Sequence, residues 1–227
     1  MTKLAIIIPY RNRESHLEEF VPYMNKYLSK NISHEFSIVV VEQANQEKFN
    51  RGTLINIGFD LIKNECTYIS PHDIDLLPED GDYSVPSVPT HLAAFRSQCD
   101  YKLEYLNFFG GVNLFLNNHF EKINGFSNLY SGYGAEDDDL LNRCMVVGLT
   151  PERRPCRYKS LPHQSMELTV ENRTLYYDII NGKQSPTIQY EGLNSLKYTV
   201  LDIKKNNYIH YFVDFKNEQI PTQDLVL

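Results

Sequence analysis

The chain of 227 residues carries 22 Lys and Arg against 29 Asp and Glu, a formal net charge of −7, and 42% of its residues are hydrophobic. This composition predicts one folded domain over residues 1–227 and excludes collagen-like, disordered and disulfide-scaffold proteins. A net-negative chain without a basic block also matches nucleic acid poorly. No segment approaches the roughly 20 apolar residues of a transmembrane helix. We therefore expect a cytoplasmic protein, with peripheral association at the inner face of the membrane left open.

Strands and helices are predicted to alternate along the first half of the chain. The apolar run Leu4–Ile8 is typical of a strand buried in a parallel sheet. An apolar stripe over 17–28 predicts a helix after it, with Ser15 and Glu18 in capping-box spacing. The next predicted elements are strands at 36–41 and 66–70 on either side of a helix at 54–62. This order indicates an open α/β fold with a mostly parallel sheet, which binds ligands beyond the carboxyl ends of its strands.

The second half of the chain predicts further strands and one acidic helix. Residues 108–116 resemble a strand that contains Gly110 and Gly111, and paired glycines mark a bulge or a close approach by a ligand or backbone. A helix is expected at 136–147. The runs at 195–203 and 208–215 read as a carboxyl-terminal antiparallel hairpin.

The sequence HDID, at residues 72–75, directly follows the third predicted strand. Asp73 and Asp75 point the same way in an extended segment, so both can face the crevice at the strand end. Two such carboxylates are costly to bury unless a cation or donors neutralise them, and manganese or magnesium prefers oxygen ligands. The alternative is a solvated turn in which Asp73 caps the loop.

Four consecutive acids, Glu136 to Asp139, begin the acidic helix. Acids in a first helical turn are stabilised by the helix dipole, so a purely structural role stays open. Asp137, however, precedes Leu140, Leu141 and Cys144 by three, four and seven residues, which places it on the apolar side of the helix. An ionised carboxylate there can accept a proton from a substrate hydroxyl.

Three arginines, Arg11, Arg13 and Arg51, are predicted to meet at one edge of the sheet. Bidentate arginine bonds at strand ends suit a diphosphate, although each arginine alone is more typical of the surface. His163 is a candidate metal ligand if the chain folds back to the HDID segment, and otherwise a surface histidine. Tyr133, between two glycines, can stack on a sugar or pack its own loop.

Five motifs in this order resemble the β-1,4-galactosyltransferase family, glycosyltransferase family seven: IIPYRNRESHL (7–17), FNRGTLINIGF (49–59), HDIDLLP (72–78), FFGGVNLF (108–115) and NGFSNLYSGYGAEDDDLLNR (124–143). The segment HDIDLLPED looks closest to the xylosylprotein galactosyltransferase branch. The resemblance implies a GT-A, Rossmann-like fold, a UDP-sugar donor and manganese, with magnesium as the alternative ion. We expect a bacterial member that extends a cell-surface glycan or its lipid-linked precursor.

The resemblance also implies roles for individual residues. The uridine and diphosphate would be held by Pro9, Arg11, Arg13, Phe49 and Arg51. Asp75 and His163 would ligate the metal. Asp73 would contact the nucleotide ribose or lie behind the metal ligands, and Ile74 would lie beside the nucleotide. The donor sugar would lie against Phe108, Gly110 and Gly111. Asp137 would be the general base, and the acceptor would contact Tyr133, Glu136 and Asp138. The family's further metal ligand falls on Ser160 or Ser165, so the third protein ligand stays open.

These roles predict an inverting transferase that moves galactose, or alternatively N-acetylgalactosamine, to a sugar hydroxyl of a glycan or glycolipid acceptor with a β-linkage. One alternative is a catalytically silent UDP-sugar-binding partner of another transferase. A second is a metal-dependent nucleotidyltransferase, which would also use two aspartates at a strand end. A base at Asp137 and an aromatic acceptor loop favour the transferase.

Overall fold

Helices and strands alternate through residues 2–163, 167–181 and 187–218, the parts of the chain that this computed structural model describes. The helices are α1 (Glu14–Asn31), α2 (Arg51–Ile62), α3 (Asn117–Lys122), α4 (Glu136–Val146) and α5 (Val170–Ile180). The strands are β1 (Lys3–Tyr10), β2 (Glu35–Gln43), β3 (Tyr68–Pro71), β4 (Leu76–Pro78), β5 (Thr90–His91), β6 (Phe95–Arg96), β7 (Asn113–Leu116), β8 (Glu152–Arg153), β9 (Arg157–Ser160), β10 (Tyr198–Lys205) and β11 (Ile209–Phe215). None of the helices in these ranges is long and apolar enough to cross a bilayer.

The larger sheet has the strand order β10-β11-β2-β1-β3-β7-β5-β8. Its centre, β11-β2-β1-β3, is parallel, as predicted. β10 and β11 form the predicted antiparallel hairpin. β7 runs antiparallel to both β3 and β5, so the sheet is mixed beyond its parallel centre.

The parallel centre is covered on both faces. Leu4, Ile6 and Ile8 of β1 pack in one cluster with the buried stripe of α1, whereas Ala5 and Ile7 pack in a second cluster with α2. Fully burying an aliphatic side chain of this kind stabilises the fold by about 1.5–3 kcal/mol. The two layers hold the carboxyl ends of β1 and β3 rigidly at one edge of the sheet, where polar residues follow.

The capping box predicted for α1 is wrong. The helix begins at Glu14, and the preceding Arg13 makes no side-chain capping hydrogen bond. Ser15 therefore lies inside the first turn rather than before it. Arg13 takes the cap position instead, which leaves its side chain available to line the pocket described below.

The strand predicted at 108–116 is shorter than expected. β7 begins only at Asn113, because Gly111 has a φ of 83° and turns the chain, with the Val112 amide donating to the Gly110 carbonyl at 3.1 Å. Residues before Asn113 form a loop instead of a bulged strand. This loop lies beside the HDID segment, since the Asp73 amide donates to the Gly111 carbonyl at 3.0 Å.

A smaller sheet, β4-β9-β6, brings two distant segments together. β4 follows Asp75 directly and pairs with β9, so that Leu76 of β4 lies opposite Ser160 of β9. Beyond β9, the Leu161 amide donates to the Asp75 carbonyl at 2.7 Å. The chain after β9 therefore returns to the HDID segment, as a metal-ligating His163 requires.

Candidate active site

A pocket of about 750 Å³ opens at the carboxyl edge of the parallel strands, between the start of α2 and the start of α4. Fifteen of the sixteen predicted site residues line it: Pro9, Arg11, Arg13, Phe49, Arg51, Asp73, Ile74, Asp75, Phe108, Gly111, Tyr133, Glu136, Asp137, Asp138 and His163. Gly110 is not among its lining residues. The sheet therefore collects segments from more than 150 positions of sequence into one cavity.

Arg51 is placed by a buried network at the start of α2. Asn50 caps the helix, with its Oδ1 accepting from the Thr53 amide at 2.9 Å and its Nδ2 donating to the Asn128 carbonyl at 2.7 Å. The Arg51 guanidinium lies over the ring of Phe126, 5.4 Å from its centroid. Cap and ring leave little freedom to the Arg51 side chain, which is 10% exposed.

Arg51 joins the two acidic motifs. Its Nε donates to Asp73 Oδ1 at 2.7 Å, and its Nη1 donates to Asp137 Oδ1 at 2.9 Å. Burial opposes the charge of Arg51, but Asp137 and Asp73 outweigh it and raise the pKa of the guanidinium above its usual value. Its Nη2 is buried without a hydrogen-bond partner among the described residues. A buried donor left in this state favours an anionic ligand, which would satisfy it.

Asp137 lies where α4 meets the pocket, with its side chain 20% exposed. The buried residues of α4 are Glu136, Asp139, Leu140, Arg143 and Cys144. Asp137 therefore sits at the edge of the buried side of the helix rather than at its middle. Burial, together with the charges of Glu136, Asp73 and Asp138, raises the pKa of Asp137 well above its usual range, against the opposing charge of Arg51. A raised pKa makes the carboxylate a stronger base toward a hydroxyl proton.

Gly110 lies against Asp137 and Phe108 at the wall of the pocket. A Cβ at this position would lie 2.6 Å from Asp137 Oδ2 and 2.8 Å from the ring of Phe108. The missing side chain therefore makes room for Asp137 at the pocket wall. Direct contact of Gly110 with a donor sugar stays a prediction.

Asp75 and His163 converge, as the metal hypothesis requires. Asp75 Oδ2 and His163 Nδ1 are 2.8 Å apart, with side chains 20% and 24% exposed. Burial and the neighbouring Asp73 raise the pKa of Asp75, against the charge of His163. A carboxylate oxygen and an imidazole nitrogen are a donor pair that fits manganese. Within the described ranges, no third His, Cys, Asp or Glu joins this pair as a metal ligand. Ser165 lies outside these ranges. The remaining coordination positions of the ion would therefore be filled by a bound ligand or by water.

Part of the pocket lining is aromatic. Tyr133 is 47% exposed, and Tyr105 donates to Asp138 Oδ1 at 2.9 Å. Burial raises the pKa of Glu136, which is 7% exposed, against the charge of Arg51.

Sequence reasoning missed other residues of the pocket lining: Arg96, Gln98, Glu104, Tyr105, Asn107, Leu168, Arg173, Tyr176 and Tyr177. The last four lie on or next to α5, whose sequence has no matching family motif.

Two family models match the chain. Residues 1–85 match the N-terminal region of glycosyl transferase group 7, and residues 90–164 match the model described as the N-terminal domain of galactosyltransferase. Together the two matches include every predicted site residue.

Known galactosyltransferases are similar over nearly all of the chain. β-1,4-galactosyltransferase 2 of Cricetulus griseus is 34% identical over 210 residues, which is 89% of this chain and 56% of that protein. Human β-1,4-galactosyltransferase 6 is 36% identical over 231 residues, which is 98% of this chain and 59% of that protein. The chain thus spans little more than half the length of these relatives.

Two solved structures share the fold. The catalytic domain of Drosophila β1,4-galactosyltransferase 7, in complex with xylobiose, superimposes with a TM-score of 0.82 and 26% identity, over 96% of each chain. A variant of that enzyme, in complex with manganese, UDP-Gal and xylobiose, gives a TM-score of 0.78 and 27% identity, over 96% of each chain. The fold is therefore an α/β GT-A fold, and the chain belongs to the β-1,4-galactosyltransferase family.

Proposed function

We propose that this chain is an inverting, metal-dependent glycosyltransferase, which moves galactose from UDP-galactose to a hydroxyl of a glycan acceptor and forms a β-linkage. The observation that carries the proposal is the Arg51 bridge, which joins Asp73 of the HDID segment to Asp137 of α4 inside one pocket. The Arg51 guanidinium therefore links the HDID segment, which would bind the nucleotide, to Asp137, which would accept the proton. Relatives with this family's sequence act as galactosyltransferases, which supports the same activity here.

The donor side of the pocket fits a nucleoside diphosphate. Arg11, Arg13 and Arg51 supply three cations on this wall. Arg11 lies 5.3 Å from the centroid of the Phe49 ring and donates to the Glu47 carbonyl at 2.7 Å, so both of its neighbours hold it in place. The partnerless Nη2 of Arg51 is a donor available to a phosphate oxygen. These residues would bind and orient the diphosphate through charge-assisted hydrogen bonds.

Asp75 and His163 would hold the divalent ion, with manganese favoured and magnesium as the alternative. When bound, the ion supplies Lewis-acid neutralisation of the charge that grows on the departing UDP. Asp75 Oδ2 and His163 Nδ1 are 2.8 Å apart, close enough for both atoms to ligate one ion. Manganese in the complex of the Drosophila relative supports manganese as the ion.

Asp137 would accept the proton of the acceptor hydroxyl. As that oxygen attacks the anomeric carbon, the bond from this carbon to the diphosphate oxygen breaks, and the proton passes to the Asp137 carboxylate. Attack from the face opposite the leaving group inverts the configuration, as in inverting glycosidases. Arg51 holds Asp137 Oδ1 at 2.9 Å, and this bond orients the carboxylate.

The acceptor would occupy the aromatic side of the pocket. Tyr133 offers an exposed ring beside Asp137, while Asp138 and Glu136 offer carboxylates for sugar hydroxyls. Xylobiose in the complexes of the Drosophila relative makes a xyloside the first acceptor to test. A glycan and a glycolipid present the same sugar chemistry to this wall.

A donor panel tests the proposal. The protein is incubated with UDP-galactose, UDP-N-acetylgalactosamine and UDP-glucose, with and without manganese, and with simple xylosides, glucosides and N-acetylglucosaminides. We expect manganese-dependent release of UDP from UDP-galactose that rises with one acceptor. Tight UDP binding without turnover on any acceptor would favour a silent sugar-nucleotide-binding partner, and formation of a sugar 1-phosphate would favour a nucleotidyltransferase.

A further inference from the structure

His72 is a buried titratable residue of the HDID segment to which the proposed reaction gives no role. It follows β3 directly and is 0% exposed. Its backbone amide donates to the Ile7 carbonyl at 3.0 Å, so it continues the hydrogen bonding of β3 to β1. Its side chain points away from the pocket lining, since the lining includes Asp73, Ile74 and Asp75 but not His72.

Both ring nitrogens of His72 make hydrogen bonds. Nδ1 lies 2.9 Å from the carbonyl oxygen of Asp73, and Nε2 lies 2.8 Å from the hydroxyl of Tyr83. A carbonyl oxygen can only accept, so Nδ1 must carry the hydrogen, and Nε2 must accept from Tyr83. Burial lowers the pKa of His72 to about 4, which keeps the ring neutral and this assignment fixed near neutral pH.

The hydrogen bonds continue beyond Tyr83 in one direction. The Tyr158 hydroxyl donates to the Tyr83 hydroxyl at 3.2 Å, the Tyr83 hydroxyl donates to His72, and His72 donates to the Asp73 carbonyl. Tyr83 and Tyr158 are 1% and 0% exposed. Because these side chains are buried, water cannot replace a lost partner. Each group in this chain of hydrogen bonds therefore depends on its neighbour.

This series of hydrogen bonds ends on the two segments that carry Asp75 and His163. Tyr158 belongs to β9, which ends at Ser160 and leads to His163. At the other end, the Asp73 carbonyl belongs to the peptide that begins the turn to Asp75, and the Leu76 amide donates to the same carbonyl at 3.3 Å. The hydrogen bonds thus connect β9 to the Asp73–Asp75 turn through the protein interior.

We propose that His72 is a positioning residue for the metal site: its Nδ1–H fixes the Asp73 peptide, and the Tyr158–Tyr83–His72 chain sets Asp75 against His163. This inference rests on the proposed function, in which Asp75 and His163 hold the ion. Phe20 meets the His72 ring edge to face at 5.0 Å, and Tyr68 donates to the Tyr83 carbonyl at 2.8 Å. These contacts restrict the His72 ring and the Tyr83 backbone.

Two substitutions at His72 separate positioning from folding. His72→Asn keeps an N–H near the place of Nδ1 and loses the acceptor at Nε2, whereas His72→Gln keeps an acceptor near Nε2 and loses the donor to Asp73. Each breaks one buried hydrogen bond, so we expect similar losses of thermal stability. Manganese affinity, measured by titration in the presence of UDP, should fall about 100-fold in His72→Gln, which loses the bond to Asp73, and about 10-fold in His72→Asn, which loses only the bond to Tyr83.

Tyr83→Phe is the second variant, in case His72→Gln fails to fold. It leaves Nε2 without a donor and should weaken manganese affinity by about 10-fold, the lower end of the same range. Equal losses in His72→Asn and His72→Gln, or wild-type affinity in all three variants, would overturn the inference. Wild-type protein that fails to bind manganese, or an Asp75→Asn variant that binds it normally, would contradict the proposed metal site itself.

Discussion

Two arginines, Arg143 within α4 and Arg51 at the start of α2, each contact two carboxylates, and they differ in what else surrounds them. Arg143 donates from Nε to Asp139 Oδ2 at 2.8 Å and also pairs with Glu191, and its side chain is 2% exposed. Arg51 contacts Asp73 and Asp137, whose side chains are 31% and 20% exposed. The same ion-pair chemistry thus appears once in the interior and once at the pocket.

The difference lies in how fully the guanidinium donors are used. Arg143 Nη2 donates to Thr187 Oγ1 at 3.1 Å as well as to Glu191, and its Nη1 lies 3.3 Å from the Glu191 carbonyl. Glu191 Oε2 in turn accepts from the Asn128 amide at 2.7 Å. Arg51 Nη2, by contrast, is buried without a partner among the described residues. The interior cluster stabilises α4, whereas the pocket cluster keeps a donor for a ligand.

The Asp137→Asn variant gives the largest expected effect on the pocket side. Asparagine keeps the size of the side chain but cannot accept the hydroxyl proton, so transfer should fall about 10²- to 10⁴-fold. Steady-state UDP release with a saturating acceptor measures this loss, and calorimetry should show unchanged UDP affinity. Wild-type turnover would remove Asp137 from the role of base.

The Arg143→Met variant gives the largest expected effect on the interior side. It leaves Asp139 and Glu191 as buried carboxylates without their cation, so the free energy of unfolding should fall by about 3–5 kcal/mol. Urea denaturation measures this loss. The matched control is Arg51→Met, whose carboxylates are partly exposed and can be hydrated, so this variant should lose less, about 2 kcal/mol. Equal losses in the two variants would break the distinction between the clusters.

The pH dependence of transfer sharpens the same comparison. Asp137 acts only when ionised, and its pKa is raised, so activity should fall with decreasing pH at values above the usual range for aspartate. Arg51 lowers this pKa, so Arg51→Met should move the acidic limb of kcat/KM upward by about one pH unit. Saturating manganese at each pH keeps the titration of Asp75 out of the measurement. An unmoved limb in this variant would contradict electrostatic coupling of Arg51 to Asp137.

The Phe108→Leu variant tests donor choice, with the smallest expected effect. Phe108 is 7% exposed, and the centroid of its ring lies 4.3 Å from the Arg96 Cζ atom. The ring therefore fills a confined part of the pocket wall. A smaller side chain should favour N-acetylgalactosamine over galactose by about 10-fold relative to wild type. The ratio of kcat/KM for the two UDP-sugars measures the change, and an unaltered ratio would show that Phe108 does not contact the donor sugar.

The positions of polar residues next to the predicted strands and helices could be predicted from the sequence. The apolar runs of β1, β2 and β3 identify a parallel sheet, and polar residues just after such strands meet at one edge, which predicted the meeting of Arg11, Arg51, Asp73 and Asp75. His163 stayed one of two alternatives on the residues alone, because no local pattern links it to Asp75, and the resemblance to one family favoured its role as a metal ligand. The source organism, the single domain and the cytoplasmic location stay predictions.

Contacts between side chains could not be predicted in the same way. Arg51 joins Asp73 to Asp137 only because α2 and α4 begin on the same side of the sheet, a relation that no spacing encodes. No sequence pattern indicates that Gly110 clears space for Asp137, where a Cβ would lie 2.6 Å from Asp137 Oδ2. Tyr176 and Tyr177 escaped notice because α5 places them at the pocket from a stretch without a strong apolar pattern.

The stereochemistry of the first product tests the central claim most directly. The wild-type protein is given UDP-galactose, manganese and a simple xyloside, and the anomeric configuration of the new linkage is read by proton NMR before side reactions accumulate. Direct displacement assisted by Asp137 predicts a β-galactoside. A product with the α configuration of the donor would contradict attack from the face opposite the leaving group, and with it the role of Asp137 as the base.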